Sequence, residues 1–446
     1  MAATVVQVRL DAGQAPGVIR KLNGVNLAPP TVWEKAALDL KKEFAALRSP
    51  LCRLHDAPLD NPGMRLVDIP QIFGNFAADA DDPANYYFAQ TDDYIRNALS
   101  CGTPVLYRLG ISIEHSVNKY WSYPPADQAK WIKICTNIIR HYNEKWADGF
   151  EWNIEYWEIW NEPDLSPNMW TEDFGRYIEL YTAAAKALKA RFPAIKIGGP
   201  AITNYRAQDG RVLVEFLNGC RRAEAPLDFL SWHCYTADPD ELIAEPEAVR
   251  KIAAAHGYPE VELQLNEWHY FNGDWRKLRG DPAYCRECME SLAGFNGTDA
   301  AAFVGAVLTG WQDTPLTMGM YYAATVCAGW GLFDQYGIAR KTYYAMRAFG
   351  EMTGFPERLW AISDGAEVRV LAGRNQRGQY ALLISCFKSS AETIKIDLGD
   401  AFSAGKCTVF AIDAERDFEV VSRTVEDGKL RINRLPGSSV YLVQSV

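Results

Sequence analysis

Apolar and polar positions along the chain follow two periods, and eight short strand-like runs are each followed by a helix-like segment. The runs are rich in β-branched and aromatic residues, whereas the segments after them carry apolar residues three and four positions apart. The eight runs are residues 22–27, 51–55, 104–109, 156–161, 195–201, 229–235, 261–266 and 318–323. This alternation predicts an α/β fold, namely a closed parallel (β/α)8 TIM barrel.

Two connections are longer than ordinary barrel loops, and both follow strands on the face where barrels hold their active sites. They are residues 57–90 and 272–296, and we expect both to wall the pocket. The pattern changes at residues 353–356. From residue 368 onward, short alternating runs separated by Gly, Asp and Asn, including 380–387, 393–398, 406–412, 429–432 and 440–443, predict a β-sandwich. Residues 4–10 alternate weakly and are assigned to it. The predicted domains are therefore residues 1–18 (a strand of the sandwich), 19–353 (the barrel) and 354–446 (the sandwich).

Charge and composition exclude some classes of partner. The 446 residues carry a formal net charge of −10, and no run of Lys or Arg is long enough to follow a phosphate backbone. We therefore expect neither nucleic acid nor an anionic membrane as a partner. Most of the ten Cys lie within apolar segments, which is typical of small core residues in a reducing compartment. With no export signal visible, a cytoplasmic location is expected.

Candidate chemistry appears where two of the strand-like runs end in Asn-Glu. The run 156–161 ends at Asn161 and is followed by Glu162, and the run 261–266 ends at Asn266 and is followed by Glu267; Trp residues flank both pairs. A lone Glu after a strand is more often a solvated loop residue or the partner of a helix cap. Two such pairs beside Trp, which offers a stacking surface for sugars, favour a carbohydrate site instead.

These two strand ends resemble the acid/base and nucleophile strands of the retaining glycoside hydrolases built on (β/α)8 barrels, known as clan A. Within that clan the chain most resembles family 39, the β-xylosidase and α-L-iduronidase family. The resemblance implies that Glu162 is the acid/base and Glu267 the nucleophile. It also implies carboxyl groups about 5 to 5.5 Å apart, as retention requires. We expect apolar walls to raise the pKa of the acid, while positive and hydrogen-bonding groups keep the nucleophile ionised.

Arg53 and His55 are two positions apart on the second predicted strand and therefore share a face. This Arg-x-His pattern also resembles family 39. By that resemblance, His55 holds a sugar hydroxyl and Arg53 supports the site near Glu267. A buried structural ion pair between Arg53 and Glu158 is an equally good interpretation.

Alternation likewise places His233 and Tyr235 on one face at the end of the sixth predicted strand. A single His in such a place is more often a satisfied core residue, but its pairing with Tyr at a strand end favours function. The resemblance implies that both side chains contact the carboxylates of Glu162 and Glu267. Asn161 is expected to hydrogen-bond the hydroxyl next to the anomeric carbon.

Trp330 and Asp334 follow the last predicted strand, where the family places an aromatic platform and acidic residues that bind the sugar. Trp268 either shapes the leaving-group side or caps its strand. Cys285 and Cys288 form a single CxxC without the further ligands that a structural zinc needs, so no metal is predicted.

The resemblance implies a retaining exo-glycosidase that removes a terminal sugar, by default β-D-xylose, from short oligosaccharides through a covalent glycosyl-enzyme. An α-L-arabinopyranosidase or a hexosidase of the same clan is the alternative. A non-catalytic carbohydrate-binding barrel and an endo-acting polysaccharidase are rivals of other kinds. The two Glu argue against the first, and the long insertion 57–90, which favours a closed pocket, argues against the second. The mechanism needs no cofactor, the expected partner is a small oligosaccharide or glycoside, and homo-oligomer formation stays open.

Overall fold

A computed structural model describes residues 4–29, 38–55, 65–278, 280–398, 406–424 and 428–445. The strands are β1 (Val5–Asp11), β2 (Gly17–Val18), β3 (Asn23–Asn26), β4 (Cys52–Leu54), β5 (Val105–Leu109), β6 (Tyr156–Ile159), β7 (Lys196–Ile202), β8 (Phe229–Thr236), β9 (Glu262–Tyr270), β10 (Met318–Tyr321), β11 (Glu357–Ser363), β12 (Val368–Arg374), β13 (Tyr380–Ser389), β14 (Thr393–Asp397), β15 (Lys406–Ile412), β16 (Asp417–Thr424), β17 (Lys429–Asn433) and β18 (Gly437–Ser445). The helices are α1 (Lys41–Ala46), α2 (Ile69–Ile72), α3 (Ala89–Ser100), α4 (Gln128–Asn143), α5 (Phe174–Arg191), α6 (Arg211–Arg222), α7 (Pro239–Ala255), α8 (Trp275–Leu278), α9 (Pro282–Glu290), α10 (Thr298–Gly310) and α11 (Lys341–Met352). Within these ranges, no helix is long and apolar enough to cross a membrane.

Strands β3 to β10 form a closed barrel in which neighbouring strands are parallel. Strand β10 closes the ring by pairing with both β3 and β9. Parallel strands of a barrel are covered on both faces, which explains why the residues of these strands are buried almost throughout. The predicted closed (β/α)8 barrel is confirmed, although β9 continues to Tyr270, four residues past its predicted end at 266.

Three of the barrel helices begin where an Asp side chain accepts a hydrogen bond from a backbone N–H in the first turn. Asp127 caps α4, Asp173 caps α5 and Asp238 caps α7 in this way. Helix α10 has no such cap, and its residues are apolar around the whole circumference of the helix. It lies between the barrel and the C-terminal sheet, and Ser385 Oγ in β13 donates to the carbonyl of Ala302 at 2.5 Å.

The two long connections add structure on the catalytic face. Residues 57–64 of the first lie outside the described residues; its remainder contains α2 and a 3-10 helix, Pro83–Asn85. The second folds into α8 and α9. Apolar residues three and four positions apart predict a helix over 31–44. Residues 31–37 of that range also lie outside the described residues, and α1 covers its end.

The remaining strands form one mixed sheet in the order β16-β15-β18-β13-β12-β11-β1-β14-β17, with β2 added beside β11. Strand β1 lies between β11, to which it is antiparallel, and β14, to which it is parallel. Residues from both ends of this order, including Val8, Ile396, Val409 and Tyr441, share one apolar core. The sheet thus folds over on itself, and the predicted sandwich that includes the N-terminal strand is confirmed.

Candidate active site

An irregular backbone at the end of β6 turns Asn161 and Glu162 into the barrel mouth. Trp160 has φ of 73° and Glu162 has φ of 42°, so the alternation of a regular strand is broken there. The Trp160 ring points outward and its Nε1–H donates to the carbonyl of Met169 at 2.8 Å. Gly110 permits this arrangement, because a Cβ at that position would lie 2.9 Å from the Trp160 ring.

The carboxylates of Glu162 and Glu267 face each other across the mouth. His233 Nδ1 lies 2.8 Å from Glu162 Oε1 and 3.7 Å from Glu267 Oε2. Ligand atoms of these three residues all lie within 4.8 Å of one another, which sets an upper limit on the separation of one oxygen from each carboxylate. The Tyr235 hydroxyl donates to Glu267 Oε1 at 2.5 Å. The structure therefore brings together the two Glu, the His and the Tyr predicted from three different strands.

Arg53 connects the nucleophile candidate to the barrel interior. Its Nε donates to Glu158 Oε2 at 2.7 Å and its Nη1 to Glu267 Oε2 at 3.2 Å. Its Nη2 donates to Asn161 Oδ1 at 2.6 Å. The guanidinium is fully buried. The two interpretations of Arg53 are thus both realised, because one guanidinium makes the structural ion pair with Glu158 and contacts Glu267.

Burial sets the protonation of the site. It raises the pKa of Glu162 to about 8, the negative charge of Asp164 adds to the rise, and Arg53 opposes it. Burial also raises the pKa of Glu267, although His233, Arg53 and the Tyr235 hydroxyl act against that rise. Burial lowers the pKa of His233, so its ring is neutral at neutral pH. The two carboxyl groups differ in their partners: Glu267 faces a guanidinium and a hydroxyl donor, and both favour its charged form.

The other predicted residues, just past the ends of β4 and β6, are also at the mouth. His55 is buried, and its Nε2 lies 3.9 Å from Glu267 Oε2. Its carbonyl accepts a hydrogen bond from Arg108, which forms a buried ion pair with Asp68 at 2.6 Å. Asn161 is buried and accepts from Arg53. The sugar contacts expected of His55 and Asn161 stay predictions.

Trp330, Asp334 and Trp268 lie in three different settings. The Trp330 ring is 5.7 Å from the Tyr235 ring, at 78° to it, and so borders the site. The Asp334 carboxylate accepts from the backbone N–H groups of Tyr336 and Ile338, which stabilises its own turn. Trp268 packs on the helix side of β9, 6.3 Å from Phe303 of α10. Roles in sugar binding or support remain predictions for all three.

Several residues of the site were not singled out from the sequence as site residues. Asn26 accepts from Arg53 Nη1 at 3.1 Å, and Ser231 Oγ donates to Glu158 Oε1 at 2.7 Å. Trp275 of α8 packs 5.7 Å from the Tyr235 ring and is 45% exposed. Asn26 and Ser231 lie on barrel strands, so strand position was an available signal. Nothing in the local sequence of Trp275 indicates its contact.

The cluster of Glu162, His233 and Glu267 has donor types that bind metals. However, the Arg53 guanidinium, 3.2 Å from Glu267, already supplies a positive charge to this cluster. A cation beside it would be repelled. The geometry fits a pair of catalytic carboxylates better than a metal site.

Comparison with known proteins agrees with this geometry. The model of the glycosyl hydrolases family 39 matches residues 74–383, which is most of the chain. The chain belongs to glycosyl hydrolases family 39. The family resemblance of the strand-end motifs is thereby confirmed.

Relatives of this family-39 chain are distant. A β-xylosidase of Geobacillus stearothermophilus is 28% identical over 174 residues, or 34% of this chain and 33% of the relative. A β-xylosidase of Caldicellulosiruptor saccharolyticus is 23% identical over 308 residues, or 66% and 58%. The match thus spans a third to somewhat over half of these relatives. The crystal structure of a glucosidase from Croceicoccus marinus has a TM-score of 0.80 at 23% identity, covering 99% of this chain and 98% of that one, which shows a shared fold.

Proposed function

We propose that this family-39 protein is a retaining exo-glycosidase that releases a terminal sugar, most simply β-D-xylose, from short oligosaccharides or glycosides. The observation that carries the proposal is the pair of carboxylates, Glu162 and Glu267, with ligand oxygens within 4.8 Å. Retaining enzymes hold their two carboxyl groups about 5 to 5.5 Å apart, whereas inverting enzymes leave about 6.5 to 9.5 Å for a water molecule. The short separation favours retention.

In the first step, Glu267 attacks the anomeric carbon while protonated Glu162 gives its proton to the leaving oxygen, and a covalent glycosyl-enzyme forms. In the second step, Glu162 removes a proton from water, which displaces Glu267 and restores the anomeric configuration. A pKa of about 8 keeps Glu162 protonated at neutral pH for the first step. Arg53 and Tyr235 favour the ionised form of Glu267 that the attack requires.

The choice of sugar and the exo mode rest on separate observations. The β-xylosidase names of the two relatives favour xylose. A second candidate is a hexosidase, because the similar Croceicoccus structure is that of a glucosidase. Exo action is favoured by the insertion after β9, which brings Trp275 against Tyr235 and narrows the mouth on that side.

Hydrolysis of a panel of p-nitrophenyl glycosides by the wild type and by Glu267→Ala, with and without azide, tests the proposal. We expect cleavage of one pentoside, an inactive variant, and azide rescue that yields a glycosyl azide of inverted configuration. Cleavage of a hexoside alone would select the second candidate. If the wild type cleaves no glycoside and merely binds the sugars, the barrel is a carbohydrate-binding protein and the proposal fails.

A further inference from the structure

The loop after β5 presents three aromatic side chains to solvent. Tyr120, Trp121 and Tyr123 are 65%, 45% and 52% exposed. Clustered exposed aromatic residues on a soluble protein commonly mark a surface that binds something. The three residues lie on the catalytic face, because the loop starts at the C-terminal end of a barrel strand.

A buried carboxylate holds this loop in place. Glu114 is fully buried and accepts hydrogen bonds from the backbone N–H groups of Tyr120, Trp121 and Ser122, at 2.7, 3.0 and 3.0 Å. Lys119 Nζ donates to the Glu114 carbonyl at 2.7 Å. The aromatic side chains are therefore exposed on a fixed backbone, and such preorganisation lowers the entropy lost when a ligand binds.

The loop forms one side of an apolar groove of 280 Å³. Phe73 and Phe76, from the segment after β4, also line the groove, as do Trp131 and Trp160. Among the described residues that line it, no side chain carries a charge or an amide group. Its polar side-chain groups are tyrosine hydroxyls and indole N–H groups, so the lining offers an apolar ring a large stacking surface and few partners for sugar hydroxyls.

Both sides of the groove are joined to the proposed active site. On one side, Trp160 is two residues from Glu162, which limits their Cα separation to about 7 Å. The Asn168 carbonyl, in the loop that follows Glu162, accepts from the Glu114 N–H at 2.9 Å. On the other side, Ile69 follows Asp68, the partner of Arg108 beneath His55. Residues that line the groove thus follow β5 and adjoin, along the chain, the strand ends that carry His55 and Glu162.

We propose that this groove binds an apolar, ring-bearing aglycone of the glycoside substrate. The inference rests on the proposed function, in which Glu162 protonates the leaving oxygen, so the aglycone leaves on the side of Glu162. A bicyclic aromatic aglycone stacks on Trp121 and displaces water from the apolar lining. Loss of one stacking partner weakens binding about tenfold.

The test compares the wild type with Trp121→Ala on two substrates that share the sugar, a 2-naphthyl glycoside and the corresponding disaccharide. Tyr336→Ala is the matched control, since Tyr336 is 73% exposed and does not line the groove. Comparing each variant with wild type on the same substrate removes differences in leaving-group chemistry. We expect Trp121→Ala to lower kcat/KM about tenfold for the naphthyl glycoside, mainly through KM, and less than twofold for the disaccharide. Binding of free 2-naphthol should weaken by a similar factor.

Equal losses on both substrates, a larger loss on the disaccharide, or no loss at all would overturn the inference while leaving the proposed function intact. Light scattering could instead show that the wild type is a dimer and that Trp121→Ala dissociates it without changing kcat/KM for the naphthyl glycoside. That result would assign the groove to a second copy of the chain and would also overturn the inference. If the wild type hydrolyses no glycoside, the proposed function fails first and the aglycone assignment fails with it.

Discussion

Replacing Arg53 by Met removes the positive charge that connects three parts of the site. Its guanidinium is fully buried and contacts the carboxylates of Glu158 and Glu267 and the amide oxygen of Asn161. The Met side chain fills much of the same space without charge or donors. The variant therefore leaves Glu158 as a buried carboxylate with two neutral donors, Ser231 and Asn266.

Removing one partner of a buried ion pair costs about 3 to 5 kcal/mol in the free energy of unfolding, because the remaining charge stays desolvated. The pair of Arg358 with Asp313 provides the matched control. Its distance is 2.5 Å, but Asp313 is 71% exposed, and an exposed pair contributes about 0 to 1 kcal/mol. The double variant Arg53→Met/Glu158→Gln should lose less unfolding free energy than the sum of the losses of its two single variants, since Glu158→Gln removes the unpaired charge.

Urea unfolding of Arg53→Met, Arg358→Met and the Arg53→Met/Glu158→Gln double variant measures these free energies. Loss of Arg53 also changes the titration of Glu267, which pH profiles of kcat/KM measure. Arg53 lowers the pKa of Glu267, so its removal should move the acidic limb of the profile to higher pH. A loss below about 1 kcal/mol for Arg53→Met, together with an unmoved acidic limb, would refute the reasoning.

Three further predictions concern single side chains. Because Glu162 must be protonated for the first step, kcat/KM should fall as pH rises through about 8. Glu162→Gln should abolish this basic limb and should lower kcat/KM most for substrates with poor leaving groups. A basic limb that persists in the variant would assign the titration to another group. Tyr235→Phe removes the hydroxyl bonded to Glu267 and should lower kcat about 10- to 100-fold with little change in KM, which steady-state kinetics on an aryl glycoside will test. Burial alone would raise the pKa of Glu114, but the backbone N–H donors outweigh it and lower that pKa, so the charged carboxylate stabilises the fold. Glu114→Gln should therefore lower the free energy of unfolding by about 1 to 3 kcal/mol at neutral pH, as measured by urea unfolding. That contribution is present above the unfolded-state pKa and is lost as pH falls through the folded-state pKa, so wild type and variant should converge in acid; a constant difference would contradict it.

The fold was readable from the sequence where one local pattern decides the structure. The runs that became β4 and β8 are mostly apolar and bounded by turn residues, and the barrel buries both faces of such strands. Strands β11 and β16 were missed because their residues are mostly half-exposed or polar, as in Asp417–Thr424, and pairing with distant strands determines their conformation. Local patterns carry no information about such partners.

The site shows the same division. Alternation was enough to place Arg53 with His55 and His233 with Tyr235, because each pair lies on one strand. The hydrogen bond from Ser231 to Glu158 joins β8 to β6, and the contact of Trp275 with Tyr235 depends on how the insertion after β9 folds. The backbone irregularity at Trp160 was also not predicted, although it turns Glu162 towards His233. These features depend on barrel closure, so local periodicity could not reveal them.

The assignment of Glu267 as nucleophile is tested most directly by trapping the glycosyl-enzyme with a 2-deoxy-2-fluoro glycosyl fluoride of the preferred sugar. The 2-fluorine slows both formation and hydrolysis of the glycosyl-enzyme, while the fluoride leaving group speeds its formation again. The intermediate therefore accumulates. After proteolysis, mass spectrometry should find the added fluorosugar on the peptide that contains Glu267, and Glu267→Gln should remain unlabelled. A label on another residue, or steady hydrolysis of natural glycosides with inversion and no trapped species, would contradict the account.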